Sequence, residues 1–383
     1  MCATAGTRTG MELSYLRPLF DRPGPWASVH LDATRAEENA EHQIELRWRA
    51  LRTELARQGA DDATLDAIAD AITGHPYQPG RYGLAVFATA GEVVLVEPTA
   101  APPAADSAHY GVLPHAMPMV AARATEVPYV RVLSDRTGAD VTGLTVGGAP
   151  RTTAVRGSES FPIRKPSVGG WSHRRYQQAA EETWKRNAGD VAGAVTELAK
   201  AVGAEVIVIG GDVRTTPLVA ERLPARWRER VVVTDAGSRQ SDDEEALDDV
   251  TVQAIADVAD RHARAAIDRY NTQRGEGSGS AGLADVVMRL QRGQADTVLL
   301  IDDPSSTDTL WISPDDPTLV AVDQFELRDS GINNPTEVRA DAALLRAIVG
   351  TRADLVLVHP DEVELEHGIG AVLRYDDGAS AAV

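Results

Sequence analysis

Residues 166–211 read PSVGGWSHRRYQQAAEETWKRNAGDVAGAVTELAKAVGAEVIVIGG. Two adjacent glycines, Gly169 and Gly170, stand at the tip of a basic loop. Without a Cβ such a tip bends freely and lets a bulky partner approach the backbone. Arg164 and Lys165 precede the tip, and Arg174 and Arg175 follow it. Phosphate is the natural partner for positive charge concentrated in this way. Behind the tip, Tyr176, Ala180, Trp184, Asn187, Val191, Val195, Leu198 and Val202 recur at three and four residues. That spacing predicts a long helix with one mostly apolar stripe. The β-branched run 205–211, closed by two glycines, predicts a buried strand.

Outward from this core the same alternation continues. Upstream, 129–134 and 139–146 predict strands joined by a turn at Asp135–Gly138, and 147–171 reads as turn-rich and polar. Downstream come a helix near 216–223 and a strand at 231–234. An earlier unit holds a strand at 26–31, helices at 36–58 and 62–73, and strands at 83–88 and 92–97. A later one follows a connecting helix at 243–272 and the Gly/Ser-rich connector 275–282. It has a helix at 283–290, a strand at 297–301, a variable loop, a helix at 337–349 and strands at 354–359 and 371–375. The expectation is an α/β protein of three consecutive α/β domains. A disordered leader at 1–12 precedes domains at 13–125, 126–240 and 241–383, the last including the connecting helix.

Composition narrows the function classes. With 38 basic against 57 acidic residues the formal net charge is -19, which disfavours general nucleic-acid binding but leaves room for one local basic contact. A single cysteine, Cys2, rules out a disulfide framework or a cysteine metal site. No window is long and apolar enough for a membrane span, and a cytoplasmic monomer without cofactor or metal is expected. The acidic run Ser241–Glu245 is read as a solvated helix start, or else as a surface for a basic partner. Asp302–Asp303 and Asp315–Asp316 have the chemistry to bind a metal, but both pairs sit beside prolines in turns and read as solvated loops. The histidines lack metal-ligand spacing.

The segment Gly169-Gly170-Trp171-Ser172-x-x-Arg175-Tyr176 and its following helix resemble the middle domain of archaeal and eukaryotic class-1 release factors and Pelota. There the loop is Gly-Gly-Gln-Ser-x-x-Arg-Phe. Three further stretches resemble that superfamily in the correct order: PYVRVLSDRTGADVTGLTV (128–146), Gly282–Leu300, and Gly368-Ile-Gly-Ala-Val-Leu-Arg-Tyr375. The resemblance is good over 125–383 and extends to the first unit only in the bacterial, actinobacterial branch with its Balon-like hibernation factors. It implies a ribonuclease-H-like middle domain and an L7Ae-like C-terminal domain. It also implies binding to the ribosomal A site, with rRNA and possibly tRNA as partners. The tip would reach toward the peptidyl-transferase centre, and a translational GTPase such as elongation factor Tu would deliver the protein. The residues expected at that contact are Arg164, Lys165, Gly169, Gly170, Trp171, Ser172, His173, Arg174, Arg175 and Tyr176. Lys185 and Arg186 are expected either on phosphate or on the wet face of the helix.

Residue 171 departs from the pattern. In release factors the loop glutamine helps place the attacking water. Trp171 has one N–H donor and no acceptor, so it cannot take both roles of an amide. It suits stacking on a base, and no catalytic residue is assigned. The expected function is ribosome hibernation without peptide release. The alternative is a peptidyl-tRNA hydrolase or tRNA nuclease on stalled ribosomes, using Ser172, His173 or Gln177.

Overall fold

A computed structural model describes residues 10–35, 39–76, 80–148, 150–157, 170–237 and 245–375, and of 170–181 the backbone alone. The first stretch contains β1 (Met11–Glu12), α1 (Arg17–Phe20), β2 (Trp26–Asp32), α2 (Ala40–Gln58), α3 (Asp62–Thr73), β3 (Gly83–Thr89), β4 (Glu92–Thr99), β5 (Ser107–Gly111) and α4 (Met117–Arg123). The middle contains β6 (Tyr129–Ser134), β7 (Gly138–Leu144), β8 (Arg151–Arg156), α5 (Gly170–Val202), β9 (Val206–Gly211), α6 (Thr216–Arg222), α7 (Ala225–Arg228), β10 (Val231–Val233) and α8 (Glu245–Gly275). The last stretch contains β11 (Ser280–Ala281), α9 (Leu283–Gln291), β12 (Ala295–Leu300), β13 (Thr309–Ile312), β14 (Val320–Ala321) and α10 (Gln324–Asp329). It ends with β15 (Thr336–Arg339), α11 (Ala340–Thr351), β16 (Asp354–Leu357) and β17 (Ile369–Leu373). The fold class is mixed α/β with several sheets.

The chain packs as two compact units, one through Ala124 and from Arg261 onward, the other Thr125–Asp260. The sequence places the last boundary at 240/241, whereas the compact units part at 260/261, within α8. Nor do the first and last stretches pack separately. Strand β1 pairs antiparallel with β16, Met11 opposite Leu355 and Glu12 opposite Asp354, so the expected leader through residue 12 gives way to paired backbone there. Residues 1–9 lie outside the described residues.

The burial of β2 explains the merger. Its first six residues are all buried. Ala27, Val29 and Leu31 belong to a core with Ile44, Trp48 and Leu55 of α2 and Ile68 of α3. Trp26 on the alternate face belongs, with Phe87 and Met119, to a core that includes Val298, Leu345 and Ile348. A sheet covered on both faces needs a second layer, and the distant C-terminal stretch supplies it. The sheet itself is antiparallel, in order β4-β3-β2-β5. Its tight β3–β4 turn has positive φ at both Ala90 (50°) and Gly91 (76°), the geometry that matches hairpin twist. Asp61 caps α3 by accepting from the Thr64 amide at 2.9 Å.

The C-terminal stretch forms a sheet in order β1-β16-β12-β17-β11. The expected connector at 275–282 contains β11, which pairs with β17. The expected variable loop before α11 holds a further sheet, β14-β13-β15. Among the described residues no helix is long and apolar enough to cross a membrane.

The second unit carries the opening sequence. Its sheet runs β10-β9-β6-β7-β8, with β6, β9 and β10 parallel and β6, β7 and β8 antiparallel. The predicted stripe on α5 is its packing face: Val191, Val195 and Val202 are buried with Val130, Val132 and Ile209 of the sheet.

Candidate functional site

The strand β8 ends at Arg156 and the helix α5 begins at Gly170, so both flank the expected tip. Arg164, Lys165 and Gly169 lie outside the described residues. Gly170, Trp171, Ser172, His173, Arg174, Arg175 and Tyr176 form the first two turns of α5 in backbone, and their side chains lie outside the described set, as does that of Gln177. A helix start concentrates unpaired N–H groups and a partial positive charge. Among the named basic groups, Lys185 and Arg186 are exposed, between the buried Thr183 and the buried pair Asn187 and Ala188. This exposure fits the wet face and a phosphate contact alike.

What roots the segment is a polar girdle at the C-terminal ends of β6 and β9. Asp135 folds the β6–β7 turn, its Oδ1 accepting from the Thr137 amide (2.7 Å), the Thr137 hydroxyl (2.7 Å) and the Gly138 amide (2.9 Å). The turn then presents Arg136. Its Nε donates to Asp212 Oδ2 at 2.9 Å, and its guanidinium carbon stands 5.1 Å from the centre of the Trp184 ring. Asp212 is fixed in turn, accepting from the Arg214 amide at 2.8 Å. The sheet ends and α5 are thereby joined by one cation held between a carboxylate and an indole.

Asn187 completes the root. It is 4% exposed and donates through Nδ2 to the Arg136 carbonyl at 3.1 Å. Beside it, the Gly157 amide donates to the Thr137 carbonyl at 2.6 Å. A Cβ on Gly157 would lie 2.3 Å from the Asn187 amide, so glycine lets the end of β8 lie flush against α5. Sequence reasoning placed Asn187 in the apolar stripe. A buried amide at a stripe position was the available signal, since such a group needs a partner. Replacing Asn187 by alanine strands the Arg136 carbonyl and opens a void at Gly157. The expected loss is ~1–3 kcal/mol, read from chemical denaturation of the whole protein.

The girdle ties α5 to the C-terminal ends of β6 and β9. Among the described residues no group of three or more His, Cys, Asp or Glu side chains is placed to hold a metal ion.

Comparison with known proteins gives the following. The profile of bacterial archaeo-eukaryotic release factor family 2 matches residues 128–276. The uncharacterized protein Rv2629 of Mycobacterium tuberculosis is 30% identical over 369 residues, covering 95% of this chain and 97% of that protein. Among solved structures, the archaeal translation termination factor aRF1 shares 14% identity, with 94% of this chain and 96% of that one covered and a TM-score of 0.25. Dom34 of S. cerevisiae, a translation termination-like factor, shares 9% identity, with 77% and 80% covered and a TM-score of 0.40.

Proposed function

Because the chain belongs to the bacterial archaeo-eukaryotic release factors, we propose that it is a translation factor that binds the ribosomal A site and occupies it without releasing peptide. The observation that carries this is Trp171, which stands where the release-factor tip has its water-placing glutamine. An indole offers a flat apolar face and one donor. It stacks on a nucleobase, and it lacks the acceptor that a hydrolytic water needs. The basic sequence around the start of α5 supplies the contact with rRNA phosphates, through Arg164, Lys165, His173, Arg174 and Arg175. The acidic remainder of the chain restricts that contact to one place.

In this reading the middle region is ribonuclease-H-like and the last region L7Ae-like. A translational GTPase such as elongation factor Tu delivers the protein as a cytoplasmic monomer, and the ribosome so occupied is a hibernating one. Co-sedimentation with purified ribosomes, followed by a cryo-electron microscopy map of the complex, tests the proposal. Density for this chain in the A site is expected. Its absence from ribosomes across growth and starvation overturns the assignment. Replacing Trp171 by alanine is expected to weaken ribosome binding roughly 5- to 150-fold, since one base stack contributes roughly 1–3 kcal/mol.

The polar neighbours Ser172 and His173 favour one second reading, hydrolysis of peptidyl-tRNA or cleavage of tRNA on stalled ribosomes. Ribosomes carrying labelled peptidyl-tRNA separate the two. Label retained in the presence of the protein fits occupancy, and release lost on Ser172→Ala or His173→Ala fits the enzyme.

A further inference from the structure

A cleft of about 430 Å³ opens in the first compact unit, on the side of the C-terminal sheet where β12 ends and α11 begins. Its floor is apolar: Met117, Leu300, Leu344 and Ile369 line it. Of these, Met117, Leu344 and Ile369 are almost fully buried. The wall above them is charged, with Asp302, Asp303, Asp308 and Asp341 against Arg339 and His367.

The one guanidinium among the lining residues is already engaged. Arg339 grips Asp341 with two hydrogen bonds, Nε to Oδ1 at 3.2 Å and Nη2 to Oδ2 at 2.8 Å. His115 Nε2 approaches the same carboxylate at 3.3 Å, and Asp341 Oδ1 also accepts from the Ala342 amide at 2.6 Å. At the start of α11 the Ala340 amide donates to the Asp308 carbonyl at 2.9 Å, so that amide is also taken. Asp303 is held by the Ser305 amide and hydroxyl at 2.9 and 2.6 Å. The carboxylates of Asp302 and Asp308 accept no hydrogen bond and form no ion pair among the described residues. Asp302 is only half-exposed at the inner end of this wall, and burial pushes its carboxyl above the usual carboxylate range. Neighbouring Asp341 and Asp303 push the same way, and His115 alone opposes them.

We propose that this cleft binds an organic cation, a guanidinium or ammonium group on an apolar stem, with the head on Asp302 and Asp308 and the stem on the Leu300–Leu344 floor. The chemistry follows from the imbalance. A half-buried carboxylate beside other carboxylates is poorly placed without a positive partner, and an apolar floor of this size accepts several methylene groups. A simple metal ion would leave that floor uncovered. An anion would meet three uncompensated carboxylates. The site is independent of the ribosomal reading, and it leaves Trp171 and the α5 root untouched.

Isothermal titration of the full-length protein tests it with two probes: agmatine, and an N-acetylated, C-amidated tripeptide with one central arginine. Saturable binding of either is expected, and which one binds better tells a free amine from a polypeptide side chain. Asp302→Asn keeps the shape of the residue and removes its charge. It is expected to weaken binding roughly 10- to 100-fold, the range for a hydrogen bond to a charged group, with a melting temperature no lower than that of the parent protein. Binding of n-pentanol as tight as that of agmatine would show that only the floor matters and would overturn the proposal. So would equal agmatine affinity in Asp302→Asn, or no saturable binding of either probe at about 10 mM, the weak end of the affinity scale.

Discussion

Alanine at Gly211 is expected to destabilise the second unit by about 4 kcal/mol or more, placing it among the severe single substitutions. Gly211 closes β9 with φ of 118°, a conformation that side chains rarely adopt. The larger cost is steric. A Cβ there would lie 2.0 Å from the Ser134 carbonyl oxygen and 3.0 Å from that residue's carbonyl carbon and amide nitrogen. All three are backbone atoms of the paired strand β6, so no rotamer relieves the overlap. The carbonyl cannot retreat cheaply either, because it accepts from the Asp212 amide at 3.0 Å.

Two other glycines separate these contributions. Gly203 also has a positive φ, 69°, but nothing lies within 4 Å of its Cβ position, so Gly203→Ala reports backbone strain alone, ~1–3 kcal/mol. Gly189 lies within α5 with equally open space, and Gly189→Ala is expected to gain ~0.5–1 kcal/mol from helix propensity. Denaturation curves with hydrogen exchange read on 129–134 and 206–211 check the series. A loss for Gly211→Ala no larger than that for Gly203→Ala would remove the steric argument. The damage would also reach the candidate site, since Asp212, the next residue, holds Arg136 against Trp184.

The opening stretch made the second unit legible because its signal is local. The 3.6-residue stripe of α5 and the continuous β-branched run of β9 both concern neighbours in sequence, and Val191, Val195 and Ile209 are buried as that pattern requires. Strand β8 was missed for the opposite reason. Five of its six residues are exposed, so RTTAVR carries no buried alternation to detect. The small sheet at 309–339 was hidden by strands of two to four residues among Asp and Pro turns. The shared core of the first unit is non-local. Nothing in WASVHL names the segment that covers its second face, although an unbroken buried run does require one. The expected tip, Gly169 and Gly170 with the flanking basic residues, is a reading of the sequence alone, and its side chains lie outside the described residues. Its root was not legible there, because Arg136, Asn187 and Gly157 converge only once β6, β8 and α5 are packed.

That shared core also carries a pH dependence. The first unit is expected to lose about 3 kcal/mol of stability between pH 7 and pH 4 through His30. His30 is 4% exposed, packed edge-on to Phe87 with ring centres 5.6 Å apart, and donates from Nε2 to the His115 carbonyl at 2.9 Å. Its pKa falls from 6.5 to about 4, chiefly through burial, with the backbone hydrogen bond to His115 opposing and the His115 charge adding to the fall. As pH falls below 6.5 the unfolded chain takes up a proton that the folded chain refuses until about 4. Folding is therefore penalised progressively across that window and no further below it. His109, whose pKa burial also lowers, adds in the same direction. Asp341 is held well below the usual carboxylate range by its hydrogen bonds to His115 and Arg339 despite its burial, so its stabilising effect is lost only below pH 3.8 and does not enter. Asp302, raised by burial, opposes the histidines and softens the acid end of the slope. His30→Gln keeps a donor for the His115 carbonyl and removes the titration. Urea denaturation at pH 7, 5.5 and 4 should give a steep fall for the parent protein and a shallower one for this variant. Parallel slopes would mean that the acid sensitivity belongs to other groups and that His30 is protonated as readily folded as unfolded.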